Sequence, residues 1–233
     1  KFCPQLQILQ NLRENENLYL NINKSMRAPN VNEQWGTSTQ VMNPDLKAES
    51  GWNYELGWKK KFTDSDLLKL NVFHMEIDDR IYRATDSASG LNIYKNAEKY
   101  RNTGVELSYE KALSQKFSYN LGISYANPQQ KTIGSGEWER TDFKLGLNAG
   151  VGYKLAKTSA NIFANYMAGR VNGTKPMLDI NMNIAHKLTD QDTLRLTVYN
   201  LLNRDDIRTG SSNGTSGALL EERNWMLTYE RTF

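Results

Sequence analysis

The chain has 233 residues, 39% of them hydrophobic, a formal net charge of +3 and a mean hydropathy of -0.67. So small a charge gives no case for nucleic-acid binding, and a single cysteine, Cys3, rules out an internal disulfide and any multi-cysteine metal site. No apolar run approaches the ~18 residues that a transmembrane helix needs, although alternating strands escape that exclusion because alternation halves the hydrophobicity of each span. The opening Lys1-Phe2-Cys3-Pro4 does not read as a natural start and no signal peptide is present, so a piece of a longer chain is expected.

Residues 5–12 alternate weakly, with Leu6, Ile8 and Leu12 on one face. After a polar turn at 13–16, residues 17–25 set Leu18, Leu20 and Ile22 against Tyr19, Asn21 and Asn23. A long polar loop spans 26–48. Residues 49–62 then place Trp52, Tyr54, Leu56, Trp58 and Phe62 on one face, with Gly51, Asn53, Glu55, Gly57, Lys59 and Lys61 on the other. A turn at 63–66 leads to a strand at 67–83, a Ser/Gly loop at 85–91 and a strand at 93–111 carrying Val105, Leu107 and Tyr109. Residues 116–127 alternate again, with Phe117, Tyr119, Leu121, Ile123 and Tyr125 on one side, and 128–140 is a loop.

The clearest strand is 142–155, DFKLGLNAGVGYKL, in which every odd position is apolar and every even one polar or glycine. A period of two over that length is a β-strand with one apolar face. Its Phe143 and Tyr153 are spaced by roughly 25 Å along a barrel axis at ~3.3 Å per residue and a tilt near 40°, the height of an outer-membrane apolar band. Further strands are expected at 159–170, 176–188, 193–202 and 221–233, with loops at 171–175 and 203–220 and turns at 156–158 and 189–192.

The sum is an all-β antiparallel meander of about eleven strands in which short turns alternate with long polar loops, the pattern of a transmembrane β-barrel with turns on the periplasmic side. Trp52, Tyr125, Phe143, Tyr166 and Trp225 fall near the exterior end of their apolar faces, and Trp58, Phe62, Tyr109, Phe117, Tyr153 and Phe233 near the periplasmic end. Two aromatic girdles are what a bilayer's interfaces select. A soluble barrel or sandwich with the apolar face turned inward is the alternative, but it needs neither rings at both ends nor strands this long. The polar face, rich in Asn, Gly, Ser, Lys and Glu, then lines a wet or plugged lumen.

The loop at 26–48 carries the most specific text. Arg27-Ala28-Pro29-Asn30 is followed by Glu33, then by Asn43-Pro44-Asp45-Leu46-Lys47-Ala48-Glu49. This resembles the paired RAP and NP(D/N)LKPE motifs of TonB-dependent outer-membrane receptors, with Ala48 in place of the common proline. Asp79-Arg80-Ile81 after Phe73-His74-Met75, the run 100–107 (YRNTGVEL) and Tyr199-Asn200-Leu201-Leu202-Asn203 look like the same family. The terminal Phe233, with Tyr229 behind it, resembles the barrel-assembly signal, and Arg231 stands where an aromatic is usual.

The resemblance implies half of a 22-stranded barrel: residues 1–233 as the C-terminal portion, with the plug domain and N-terminal strands outside this chain. Eleven strands cannot close conventionally, because the first and last run the same way and would meet at a parallel seam. Open edges are not viable in lipid. The implied partners are outer-membrane lipid, the plug and other barrel half, TonB through the plug, and an iron chelate or similar ligand. The implied function is TonB-driven uptake of a scarce, large ligand, a ferric siderophore first, with haem and cobalamin as alternatives. A passive porin or structural barrel protein is the reading from another class.

Single residues weigh less. Arg27 and Glu33 at a loop root either fix the loop or touch ligand, the structural role being favoured, and Asn43-Pro44-Asp45 is a turn former. Trp35, Arg83, Arg101 and Arg170 complete the ligand-contact candidates, arginines suiting an anionic chelate. Haem receptors of the family carry a His between the two motifs; residues 33–42 hold none, and Met42 reads as packing. His74 and His186 are placed too far apart to cooperate, and no nucleophile–base constellation supports an enzyme. Glu76, Asp78 and Asp79 form an acidic cluster read as a solvated loop root rather than a calcium site. No cofactor or protein-held metal is expected.

Overall fold

The computed structural model describes residues 2–97, 99–131, 134, 136–171, 173–207 and 219–232. Its elements, in chain order, begin with β1 (Gln5–Arg13), β2 (Glu16–Arg27), α1 (Val31–Trp35), β3 (Gln40–Val41), β4 (Glu49–Lys60), β5 (Asp66–Asp78), β6 (Ile81–Thr85), β7 (Asn92–Asn96) and β8 (Lys99–Ala112). They continue with β9 (Phe117–Ala126), β10 (Gln129–Lys131), β11 (Trp138–Arg140), β12 (Leu145–Leu155), β13 (Thr158–Ala168), β14 (Met177–Lys187), β15 (Asp192–Tyr199) and β16 (Asn224–Arg231).

Eleven of these strands form one antiparallel meander, β1-β2-β4-β5-β8-β9-β12-β13-β14-β15-β16. Among the described residues, β1 pairs only with β2 and β16 only with β15, so the sheet is an open wall with two unpaired edges. The β10–β11 hairpin extends β8 upward, and β3, β7 and β6 make a separate three-stranded sheet. No described helix is long and apolar enough to cross a membrane.

The register carries the expected faces across the whole wall. Leu20, Leu56, Val72 and Val105 stand opposite one another in turn on β2, β4, β5 and β8. Leu121, Ala149, Ala164 and Ile180 do the same on β9, β12, β13 and β14. These apolar side chains are not a core: Leu56, Leu121, Ile162 and Leu227 are each about half exposed or more. Continuous exposed apolar surface on this scale requires a covering phase. The few fully buried apolar residues sit mostly at the long-loop end, among them Leu46, Ile81, Ala97 and Leu220.

The opposite face is hydrogen-bonded within itself. Tyr19 Oη donates to Glu55 Oε1 (3.2 Å) and approaches Asn71 Oδ1 (3.4 Å). Asn53 Nδ2 donates to Asn23 Oδ1 at 3.0 Å, and Asn183 Nδ2 to Thr197 Oγ1 at 2.8 Å. Tyr19 reaches its partners by lying across Gly57, where a Cβ would stand 2.0 Å from the ring. Gly57→Val therefore has to evict the ring and break both contacts. We expect a loss of about 1–3 kcal/mol in reversible urea unfolding, and a loss within experimental error would refute the packing argument.

Two sequence expectations are corrected. Residues 67–83 and 93–111 are not two continuous strands. Asp79 turns into the left-handed region (φ 56°), and its carbonyl accepts from Asn96 Nδ2 at 2.6 Å. Arg80 O accepts from Ala97 N at 2.7 Å, so the ladder ends and β6 and β7 fold away as a small sheet. Asp tolerates this conformation better than most residues. The second correction is Phe143, which lies before β12 rather than in it; its ring comes within 3.3 Å of where a Gly146 Cβ would point, on the polar side. The apolar face of β12 ends instead at Leu145, opposite Tyr125.

At the short-turn rim, Trp58 Nε1 donates to Glu16 Oε1 (2.9 Å), and Lys60 Nζ reaches Glu16 Oε2 (3.2 Å) over the rings of Trp58 and Phe62. A snorkelling lysine among rings fits an interface between lipid and water. Tyr229 is exposed and its hydroxyl donates to Asp192 Oδ1 at 2.5 Å. Phe233 lies outside the described residues.

Candidate functional site at the long-loop rim

The loop between β2 and β4 is built on one arginine. Arg27 Nη1 contacts both oxygens of Glu33 (3.0 and 2.9 Å), and its Nε donates to Glu49 Oε1 at 2.8 Å. Glu33 belongs to α1, whose N-terminus is closed by a capping box: Glu33 N donates to Asn30 Oδ1, and Asn30 N donates to Glu33 Oε2, both at 2.9 Å. The remaining Glu49 oxygen accepts from Ile81 N at 2.7 Å. One network thus joins the end of β2, α1, the start of β4 and the start of β6. Ala28 and Pro29 set the path between Arg27 and the cap, and proline presets φ there.

The second half of the loop is held by side-chain amides. Asn43 Nδ2 donates to Tyr94 O (2.9 Å), and Gln34 Nε2 to Pro44 O (2.8 Å). Lys47 N donates to Asn96 Oδ1 (2.9 Å), while Leu46 is buried beneath. A cleft of about 520 Å³ remains, lined by Asn30, Val31, Asn32, Glu33, Thr37, Gln40 and Tyr94.

Of the ligand-contact candidates, Arg27, Glu33, Trp35 and Arg83 come together in this assembly. Arg27 and Glu33 are engaged with each other. Trp35 ends α1 with 60% of its surface exposed, and Arg83 is exposed opposite Tyr94 on the β6–β7 pair. The other two lie elsewhere. Arg101 shares the parity of Val105 and Leu107, so it stands on the apolar side of the wall; it stacks 4.0 Å from the Trp138 ring and its Nε donates to Gln129 Oε1 at 2.9 Å. Arg170 donates to the carbonyls of Lys175 and Ile207, joining two neighbouring loop roots.

His74 lies on the apolar side, its Nδ1 2.7 Å from Thr103 Oγ1 and its ring stacked on Tyr54; His186 lies towards the other rim, 2.8 Å from Thr158 Oγ1. Sequence reasoning gave Asn200 only as part of the family-like run 199–203, with no role of its own; it is 3% exposed at a positive φ of 48°. Its N–H donates to Asn181 Oδ1, its Nδ2 to the carbonyls of Arg204 and Glu221, and its Oδ1 accepts from Arg204 N. The signal was present, because Asn just after a strand both tolerates the left-handed turn and bonds the backbone two or more residues on. Asp206 repeats the device, accepting from Leu178 N (2.9 Å) while the Arg204 guanidinium beside it holds its carboxyl below the usual carboxylate range.

An open antiparallel wall, apolar on one face, polar on the other, with long loops stitched together at one rim, is the geometry on which the comparisons bear. The family model described as "TonB dependent receptor-like, beta-barrel" matches residues 4–201. The chain belongs to this TonB-dependent receptor family. Solved structures agree in fold. The copper transporter OprC superposes with a TM-score of 0.78 at 16% identity, over 98% of this chain and 39% of its own. The ferric-catecholate import receptor Fiu from E. coli K12 gives 0.72 at 20% identity, over 98% of this chain and 34% of its own. The ferric enterobactin receptor PfeA from Pseudomonas aeruginosa gives 0.76 at 18% identity, over 99% and 40%. The receptor chain therefore spans well under half the length of these proteins, and as a partial barrel it accounts for wall and loops.

Proposed function

We propose that this chain is the C-terminal portion of the barrel wall of a bacterial outer-membrane receptor that takes up a scarce, large ligand, a ferric siderophore first, in a TonB-driven step. The observation that carries the reading is the wall itself. Its apolar side is exposed along the strands, its polar side is dense with Asn, Glu and Lys, and neither edge has a partner among the described residues. A polar wall this dense in hydrogen-bonding side chains suits contact with a second protein domain, the plug of this family. The remaining strands and the plug would come from a complementary polypeptide segment.

The siderophore reading rests on receptors named for ferric catecholate, ferric enterobactin and ferripyoverdine among the structural relatives. In that reading the exposed Trp35 and Arg83 of the rim assembly are the side chains we assign to ligand, and Arg27 with Glu33 to the loop's foundation. The copper transporter among the relatives favours one second reading, uptake of a copper species. Deleting the gene that carries this chain and measuring growth on ferric siderophores, haem, cobalamin and limiting copper separates these. The expected result is loss of growth on one or more ferric siderophores, restored by the intact gene but not when TonB is absent. Unchanged growth on every source would overturn the uptake reading.

A further inference from the structure

We infer that the polar face of the wall, where β13, β14 and β15 meet beneath the long-loop rim, holds a binding site for a neutral sugar ring. The inference rests on the reading that this face lines a lumen, and not on iron or on any siderophore. The register sets one row of side chains there. Phe163 shares the polar side with Gly150 and stands opposite Asn181. Tyr199 lies one step past the Met182–Val198 pair, level with Asn181, and stands opposite Asn224. The next row towards the rim pairs Asn165 with Asp179. These side chains, with Glu221 from the returning chain, line a cleft of about 400 Å³.

Two aromatic rings on the polar side need a reason. Phe163 is 43% exposed and Tyr199 41%, so neither is packed away. Their strands are two apart, roughly 10 Å at ~4.8 Å per strand, which leaves room for one saturated ring between the two aromatic side chains. An aromatic face is electron-rich, and it attracts the weakly positive axial C–H groups of a pyranose. Asn181, at the floor between the rings, is 6% exposed and held in place, its Oδ1 accepting from Asn200 N at 2.9 Å; its Nδ2 is the group it offers the cleft. Asp179 and Glu221 supply acceptors, and the Asn165 amide both donates and accepts, the combination that adjacent hydroxyls require. Asn224 Nδ2 orients Glu221 by donating to its Oε2 at 3.3 Å. The lining holds two carboxylates and no lysine or arginine, so it repels the anionic core of a ferric chelate and suits an uncharged ring. Such a ring comes either from a free oligosaccharide or from a glycosyl group on a larger ligand.

The test uses the whole receptor that contains this chain, purified in a detergent without sugar headgroups. Binding of maltotriose and cellotriose is measured by titration and by saturation-transfer NMR, with sorbitol as a ring-free polyol control. A second arm compares a ferric triscatecholate bearing glucosyl groups with its bare counterpart. Phe163→Leu/Tyr199→Leu removes both rings, and Phe163→Tyr/Tyr199→Phe keeps them. We expect a trisaccharide or the glucosyl chelate to bind more tightly than its control, the leucine pair to weaken that binding by about tenfold, and the ring-keeping pair to retain it. The strongest saturation should fall on the axial protons of the sugar. Preference for a free trisaccharide supports an oligosaccharide as the source of the ring, and preference for the glucosyl chelate alone supports a glycosylated ligand. No preference over either control, or a leucine pair that binds as the natural protein does, would overturn the inference. Asp179→Leu, at the hydroxyl-binding side of the cleft, should weaken binding in the same way, so a folding defect in the leucine pair leaves the inference open to refutation. Sugar binding is read on purified receptor and uptake on growth, so either can fail without the other.

Discussion

Leu147→Arg is expected to destabilise the membrane-inserted receptor by about 1–3 kcal/mol, at a depth between the bilayer midplane and the exterior interface, whereas Asn148→Arg one residue later should cost far less. Leu147 lies between Ile123 of β9 and Tyr166 of β13, all on the apolar side. An arginine there must be drawn into hydrocarbon or drag water and headgroups towards it. Asn148 points to the polar side, where its amide lies over Gly122, and a longer cation at that position extends into the lumen. The measurement is urea unfolding of the receptor from lipid vesicles for both variants. Equal costs would mean that the two faces carry the wrong environments.

Arg27→Met should have the next largest effect, and a local one. The substitution keeps much of the aliphatic stem but leaves Glu33 and Glu49, both largely buried, without the cation between them. Removing one partner of a fully buried pair costs about 3–5 kcal/mol; Arg27 is 45% exposed, so solvent screening reduces the expected cost to about 1–3 kcal/mol. It should fall on the loop and not on the wall, because the network joins α1 and β6 to the ends of β2 and β4 while the β2–β4 ladder stands by its own hydrogen bonds. Limited proteolysis should then cut between residues 31 and 42 while the barrel remains protected. Arg27→Lys restores charge but not the fork and should recover part of the protection. Resistance in Arg27→Met equal to that of the natural protein would assign Arg27 to something other than the loop's foundation.

The wall was legible in the sequence because both of its rules are local. A period of two assigns faces, and the alternation of short and long connections assigns rims; the turns after β1, β4, β9's neighbour β8, β12 and β14 fall at the expected places. What escaped was set by partners distant in sequence. The charged run Asp78-Asp79-Arg80 interrupts the alternation without saying where the ladder stops, and only Asn96, seventeen residues after Asp79, makes the Asp79 carbonyl a terminus. Phe143 fits the pattern of β12, yet the chain turns before Leu145. Arg101 looked like a ligand contact by its position near a long loop, but parity with Val105 turns it outward and Trp138 covers it. Arg27 and Glu33 were readable as a pair; that Glu49 and the amide of Ile81 complete the network depends on a β4–β6 approach that no local pattern encodes.

The unpaired edges constrain whatever completes the ring. β1 and β16 both run from the long-loop rim to the short-turn rim, since an odd number of antiparallel strands returns to its starting direction. A neighbour that pairs antiparallel with either edge must run the opposite way. The complementary wall must therefore begin and end on strands of one direction, which makes its strand count odd and the closed total even. On the function proposed above, a complementary wall that precedes β1 would finish at the long-loop rim, where β1 begins. Such a wall would have its first strand rise from the short-turn rim, so that on the same proposal a plug domain attached ahead of it would enter the barrel from that side.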